Sequence, residues 1–135
     1  MVDAALFDAA RRRCAFVEPV HFLVALLGQP DAAANQWLKE VAHLEPAGVP
    51  PELEPHLKGI PTEKKWGRYS QATEEVLRFV AQHGTGREKG QSSTLDLLMG
   101  ILRQERDPAT EFLKEHKVST RGVERAIEEG RYLDR

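Results

Sequence analysis

Apolar residues recur along this chain at spacings of three and four, and no stretch alternates strictly between apolar and polar, so the pattern predicts helices throughout and an all-α fold. A first helix spans about Ala4 to Phe16, with Leu6, Ala9, Ala10 and Cys14 on one stripe and Arg11, Arg12 and Arg13 around the opposite side. A second begins near Pro19, a residue suited to a first helical turn, carries Phe22, Leu23, Leu26 and Leu27, and ends at Gly28. Asp31 is a good N-cap for a third helix reaching about Val41, in which Trp37, Leu38 and Val41 face inward. Pro51 to Leu57 allows a short fourth helix, limited by Pro55.

From Ala47 to Gly67 the chain is punctuated by Pro50, Pro51, Pro55, Gly59 and Pro61, which marks a connection rather than a packed element. Beyond it Ser70 caps a helix carrying Val76, Leu77, Val80 and Ala81, and Gly84 to Gly90 forms a polar loop. The next helix starts after Ser93 or Thr94 and holds Leu97, Leu98, Ile101 and Leu102. Asp107 and Pro108 supply an N-cap and a first-turn Pro for the helix bearing Phe112 and Leu113. Ser119 caps the last helix, whose Val123, Ala126 and Ile127 form a buried stripe before Gly130 breaks it.

The two halves of this pattern repeat each other. His21 to Leu27 followed by Trp37 to Glu40 returns, without a gap, as Asp96 to Leu102 followed by Phe112 to Glu115, at a constant offset of 75 residues. Seven of the twenty positions from His21 to Glu40 are identical in the second copy, and others exchange one apolar residue for another. Such self-similarity marks a duplicated structural unit that cannot bury its apolar face alone. The expected architecture is an eight-helix, pseudo-two-fold bundle in one domain over residues 1–135. Repeat one covers about 3–58, the connector about 59–68 and repeat two about 69–130.

Composition narrows the functions open to such a bundle. Its 135 residues, 41% of them hydrophobic and 30% charged, describe one globular domain. A formal net charge of −2 gives no long-range field toward nucleic acid or an anionic membrane. The longest apolar run, Phe22 to Leu27, falls far short of the roughly 20 residues that span a bilayer. A single Cys forms no intrachain disulfide, and the N-terminus lacks an apolar signal core, so a cytoplasmic protein is expected.

Candidate chemistry is sparse. The Gly84 to Thr94 loop is glycine-rich, but it follows a helix rather than a strand and places Lys89 before its last glycine, unlike a phosphate loop. His21, His43, His56, His83, His116 and Cys14 form no metal-ligand spacing, and His21 reads as a helix-terminal hydrogen-bonding residue. Cys14 on an apolar stripe is an inert thiol. Glu74-Glu75 and Glu128-Glu129 are neighbours on helices, pointing about 100° apart, and read as solvated faces. The Arg11 to Arg13 cluster solubilises a helix rather than binding nucleic acid. No cofactor, metal or catalytic residue is expected, and the protein reads as a non-enzyme.

The residues in this order resemble the double-repeat N-terminal domain of the Clp AAA+ unfoldases. Pro19 to Leu27 is similar to that family's second helix, Tyr69 to Leu77 to the opening of its second repeat, and Val118-Ser119 with Gly122-Val123 to the start of its last helix. Departures are specific. Where the family carries a Glu-His pair, this chain has Val20-His21 and Leu95-Asp96. Some family members bind phosphorylated arginine with those Glu residues, and Val20 and Leu95 argue against that activity here. The loop of copy one is also shorter: Leu6 to His21 spans 15 positions, Leu77 to Asp96 spans 19.

The resemblance implies a non-catalytic module that docks an adaptor, a substrate segment or a partner helix for a Clp-type unfoldase or protease. The alternative it leaves open is a free-standing accessory or regulatory subunit of a Clp assembly, since no Walker-type phosphate loop occurs in the chain. The expected partner is a protein, not nucleic acid or a membrane. Trp66, Arg68 and Tyr69 in the connector, with Val20 and Leu95, are the candidate partner-binding residues, because aromatic and Arg side chains anchor interfaces disproportionately.

Overall fold

Pro19 opens the first described helix because its missing N–H falls where no helical partner exists, and the same logic places Pro108 at the start of the last described helix but one. The fold comes from a computed structural model, which describes residues 16–29, 31–44, 50–57, 68–84 and 93–130. Seven helices lie in these residues: α1 (Pro19–Leu27), α2 (Ala33–Val41), α3 (Glu54–Leu57), α4 (Gln71–Gly84), α5 (Ser93–Leu102), α6 (Pro108–Glu115) and α7 (Thr120–Glu129). The all-α expectation holds. The only extended pairing described is a short parallel bridge of β1 (Phe16–Val17) with β2 (Arg68–Tyr69), which ties the start of copy one to the start of copy two. The expected helix over Ala4 to Phe16, most of the connector and the 85–92 loop lie outside the described residues.

Helix α5 is the centre of the bundle and packs against α1, α2, α4, α6 and α7. Duplicated positions are buried together: Val20 with Leu95, Leu23 with Leu98, Leu26 with Ile101, Trp37 with Phe112 and Leu38 with Leu113 all join one core spanning both copies. That agreement is the structural form of the 75-residue repeat.

The helix ends in this core are held by polar side chains at duplicated positions. Asn35 Nδ2 donates to the Leu26 carbonyl at 2.5 Å and to that of Gln29 at 2.6 Å. Its counterpart Thr110 Oγ1 donates to the Ile101 carbonyl at 2.6 Å. In both copies, therefore, the first turn of one helix satisfies a buried carbonyl at the end of the preceding helix, a group that has no intrahelical partner.

The two copies differ at the next position. In copy two the Asp107 carboxylate accepts the Ala109 N–H at 3.0 Å, a local cap. In copy one the cap residue is Ala32 rather than Asp31, with no side-chain cap, and the Ala34 N–H donates instead to Thr94 Oγ1 at 3.1 Å. A hydroxyl at the start of α5 thus caps α2 across the duplication, which explains why a poor cap is tolerated at Ala32.

Two inward positions of the sequence pattern are corrected. Val41 is 55% exposed, because α2 ends there and His43, at φ 54°, turns the chain back. The Leu44 N–H then bonds to the Leu38 carbonyl at 3.1 Å, and Leu44 packs on the core in place of Val41. Ile127 is only partly buried and faces a groove.

Replacing Thr110 by Val keeps the shape but leaves the buried Ile101 carbonyl to the Gln104 N–H at 3.1 Å, so we expect a loss of about 0.5–1.5 kcal/mol in urea unfolding. Thr94→Ala, which removes the cross-copy cap, should cost about 1 kcal/mol. Equal stabilities of wild type and Thr110→Val would show that the Gln104 N–H alone satisfies the carbonyl.

Candidate functional site

The surface feature most suited to recognition is a groove between α4, α5 and α7, with a cavity of ≈ 530 Å³. Its apolar surface is Phe79 from α4, Met99 from α5 and Ile127 from α7, flanked by Asp96, Arg103, Thr120, Glu124 and Glu128. Each residue arrives there for a local reason. Thr120, Glu124, Ile127 and Glu128 follow helical spacing along one face of α7, while Val123 and Ala126 fill the buried face. Gly100 lets α4 approach α5: a Cβ there would meet Val76 Cγ1 at 3.2 Å and Val76 O at 3.3 Å. That approach brings Phe79 beside Arg103, whose guanidinium carbon lies 4.9 Å from the ring centroid in a cation–π contact. Beyond this pair a smaller hollow of ≈ 270 Å³ continues along α4 and α5 past Glu75, Arg78, Gln82 and Gln104.

The sequence candidates lie elsewhere. Val20 and Leu95 are 2% and 0% exposed and pack into the core, so their side chains present no surface. Tyr69 is half-buried, its ring centroid 6.5 Å from that of Phe22, a contact that crosses between the copies. Arg68 is placed by its backbone in β2, and Trp66 lies outside the described residues. His21 is a buried structural residue: the Glu18 N–H donates to Nδ1 at 2.9 Å, so Nε2 carries the proton and donates to the Leu57 carbonyl at 3.0 Å. This fulfils the helix-terminal role expected of it. His116 packs on Phe112, with ring centroids 4.5 Å apart.

Among the described residues no group of three or more His, Cys, Asp or Glu side chains is placed to hold a metal ion. Likewise, none of the described helices is long and apolar enough to cross a membrane. Sequence reasoning missed Phe79, Met99 and Arg103. The available signal was on α5, whose apolar residues cover more than one stripe and include one, Met99, that the repeat pattern did not use.

A second electrostatic feature sits where the copies meet, at the N-termini of α1 and α6. Burial pushes the Glu18 carboxyl above the usual carboxylate range, the nearby Asp107 charge adds to that, and a Ser70 hydrogen bond pulls it back. Burial likewise raises Asp107, opposed by its bond from the Ala109 N–H, raised further by Glu111 and lowered by His56. Thr73 Oγ1 donates to the Val17 carbonyl at 2.7 Å beside this pair and joins α4 to β1.

Comparison with known proteins agrees with this architecture. A family model described as the Clp repeat (R) N-terminal domain matches residues 1–116. A crystal structure of the Hsp104 N-terminal domain from Candida albicans has a TM-score of 0.70 at 18% identity, covering 98% of this chain and 89% of that one. A structure titled as preliminary structural investigations of a malarial protein secretion system gives 0.68 at 16% identity, over 95% and 87% of the two chains. No curated protein matches. At such identities the two structures speak for the fold.

The Glu18 and Asp107 pair sets a pH dependence. Raised folded-state values mean that the folded chain holds these protons more tightly than the unfolded chain. Their contribution is therefore most favourable at and below the ordinary carboxylate range and is lost as pH rises through the raised values. We expect Glu18→Gln, which removes one charge of the pair, to raise the Tm at pH 7 and flatten this decline. An unchanged slope of Tm against pH would show that Glu18 does not hold its proton more tightly in the folded chain.

Proposed function

The chain belongs to the Clp repeat N-terminal domain family, and from that premise we propose that it is a non-catalytic module that docks an adaptor, a substrate segment or a partner helix for a Clp-type unfoldase. The observation that carries this reading is the groove between α4, α5 and α7: apolar side chains that the core leaves uncovered, lined up between three helices. Two half-buried residues, Phe79 and Ile127, flank the nearly buried Met99. A partner side chain laid across them removes apolar surface from water on both sides, at about 25 cal/mol per Å². Met99 is unbranched and polarizable, so it adapts to occupants of different shape. Polar and charged residues along both margins hold the orientation of what binds, as in a helix-in-groove complex.

The chemistry asked of the site is capture and release. An affinity near micromolar, roughly −8 kcal/mol, suits a module that hands on what it holds. The backbone of α5 is held by five neighbouring helices, so adjustment to an occupant falls to side chains such as Met99.

Titration of the isotopically labelled protein with an amphipathic peptide should move the amide resonances of α4, α5 and α7. Phe79→Ala should weaken that peptide about tenfold, about 1.4 kcal/mol, with helicity by circular dichroism retained. Shifts centred on residues 68–70 instead would move docking to the connector, and an absence of shifts at millimolar peptide would refute the docking reading.

A further inference from the structure

We infer that the groove selects cationic partners: a peptide or helix in which a bulky apolar residue is followed, about one helical turn away, by Lys or Arg. The inference rests on the docking reading above and adds to it the charge of the occupant.

The argument begins on α7, where charges are sorted by face. Glu124 and Glu128 line the groove together with Thr120 and Ile127, whereas Arg121 and Arg125 do not line it. Glu124 and Glu128 stand one turn apart on the same face, a like-charge spacing that is unfavourable by about 0.2–0.5 kcal/mol in an isolated helix. A cation seated between them relieves that repulsion. Across the groove Asp96, 1% exposed, is a further carboxyl group of the lining. Among the described residues the exposed Glu124 and Glu128 thus share the groove with one lining cation, Arg103, and that guanidinium is seated over the Phe79 ring at 4.9 Å.

The groove also has a direction. Past the Phe79–Arg103 pair the lining changes to Glu75, Arg78 and Arg103 with two Gln side chains, so the acidic end is the α7 end. An apolar anchor over Phe79, Met99 and Ile127 places its neighbouring cation at Glu124 and Glu128. The reverse polarity would set a carboxylate against Glu124 and Glu128. The net charge of −2 for the whole chain is too small to make this selection, so it is a property of the groove.

The test is fluorescence anisotropy of the full chain with two labelled amphipathic peptides that share their Leu positions and differ only in Lys against Glu. At about 50 mM salt the Lys peptide should bind at least tenfold tighter, and the advantage should shrink at about 500 mM as screening shortens. Glu124→Gln/Glu128→Gln should remove most of the preference, while Glu52→Gln/Glu115→Gln, equal in net charge and outside the groove, should leave it intact. Equal binding of the two peptides by the wild type would overturn the charge inference and leave docking standing. Preference that survives Glu124→Gln/Glu128→Gln would overturn it too. Binding of neither peptide would remove the docking reading itself.

Discussion

The constraint on which this structure depends is the burial of α5. Leu95, Leu97, Leu98, Met99, Ile101 and Leu102 are all buried, so the helix is apolar around most of its circumference and must be enclosed by others. Five helices enclose it. Its counterpart α1 carries the same buried positions but leaves Val24 and Ala25 partly exposed. The duplication therefore yields two buried helices from nearly the same pattern, of which α5 is the more completely covered. Small residues decide how closely the neighbours come: Gly100 on α5 admits α4, and Gly122 on α7 places its backbone where a Cβ would meet Trp37 Cζ2 at 3.2 Å.

Polar groups then fix which way each helix end enters the core. Asn35 and Thr110 perform one task at equivalent positions with different chemistry, an amide in one copy and a hydroxyl in the other. Capping diverges further, since Asp107 serves its own helix while Thr94 serves a helix of the other copy. Likewise His21 bridges Glu18 and Leu57 inside copy one, and Asp96 at the equivalent position lies beside the groove. Divergence at a handful of buried polar positions is what separates the copies. The apolar set is shared, and it carries the fold. At the positions equivalent to Met99 and Arg103 copy one has Val24 and Gly28, which lack both the adaptable thioether and the cation.

The proposed docking function rests on the same asymmetry. A core that covered every apolar residue would leave only charged helix faces, which bind little with any selectivity. Here the close approach of α4 to α5 and the tilt of an acidic face of α7 toward them leave an apolar strip with unequal charge along it. The fold is that of the family to which the chain belongs, and Phe79, Met99, Ile127 and their charged neighbours line the strip.

Much of the frame was legible in the sequence. The 75-residue offset, the caps at Ser70, Asp107 and Ser119, the Pro at two helix starts and the break at Gly130 are local or periodic signals, and the structure repeats them. Local signals failed where a helix end depended on a distant group. Asp31 has the better capping side chain, yet Thr94 supplies the cap from 60 residues away, and Val41 has the right spacing but extends past the edge of the core. The groove was not legible for the same reason. Phe79, Met99, Arg103 and Glu124 are unremarkable on their own helices, and only the packing of three helices around a buried α5 brings them together. Sequence by itself determined which residues are apolar and which helices they make; tertiary structure decided which of those residues the core leaves uncovered, because that depends on how closely helices distant in the chain can approach.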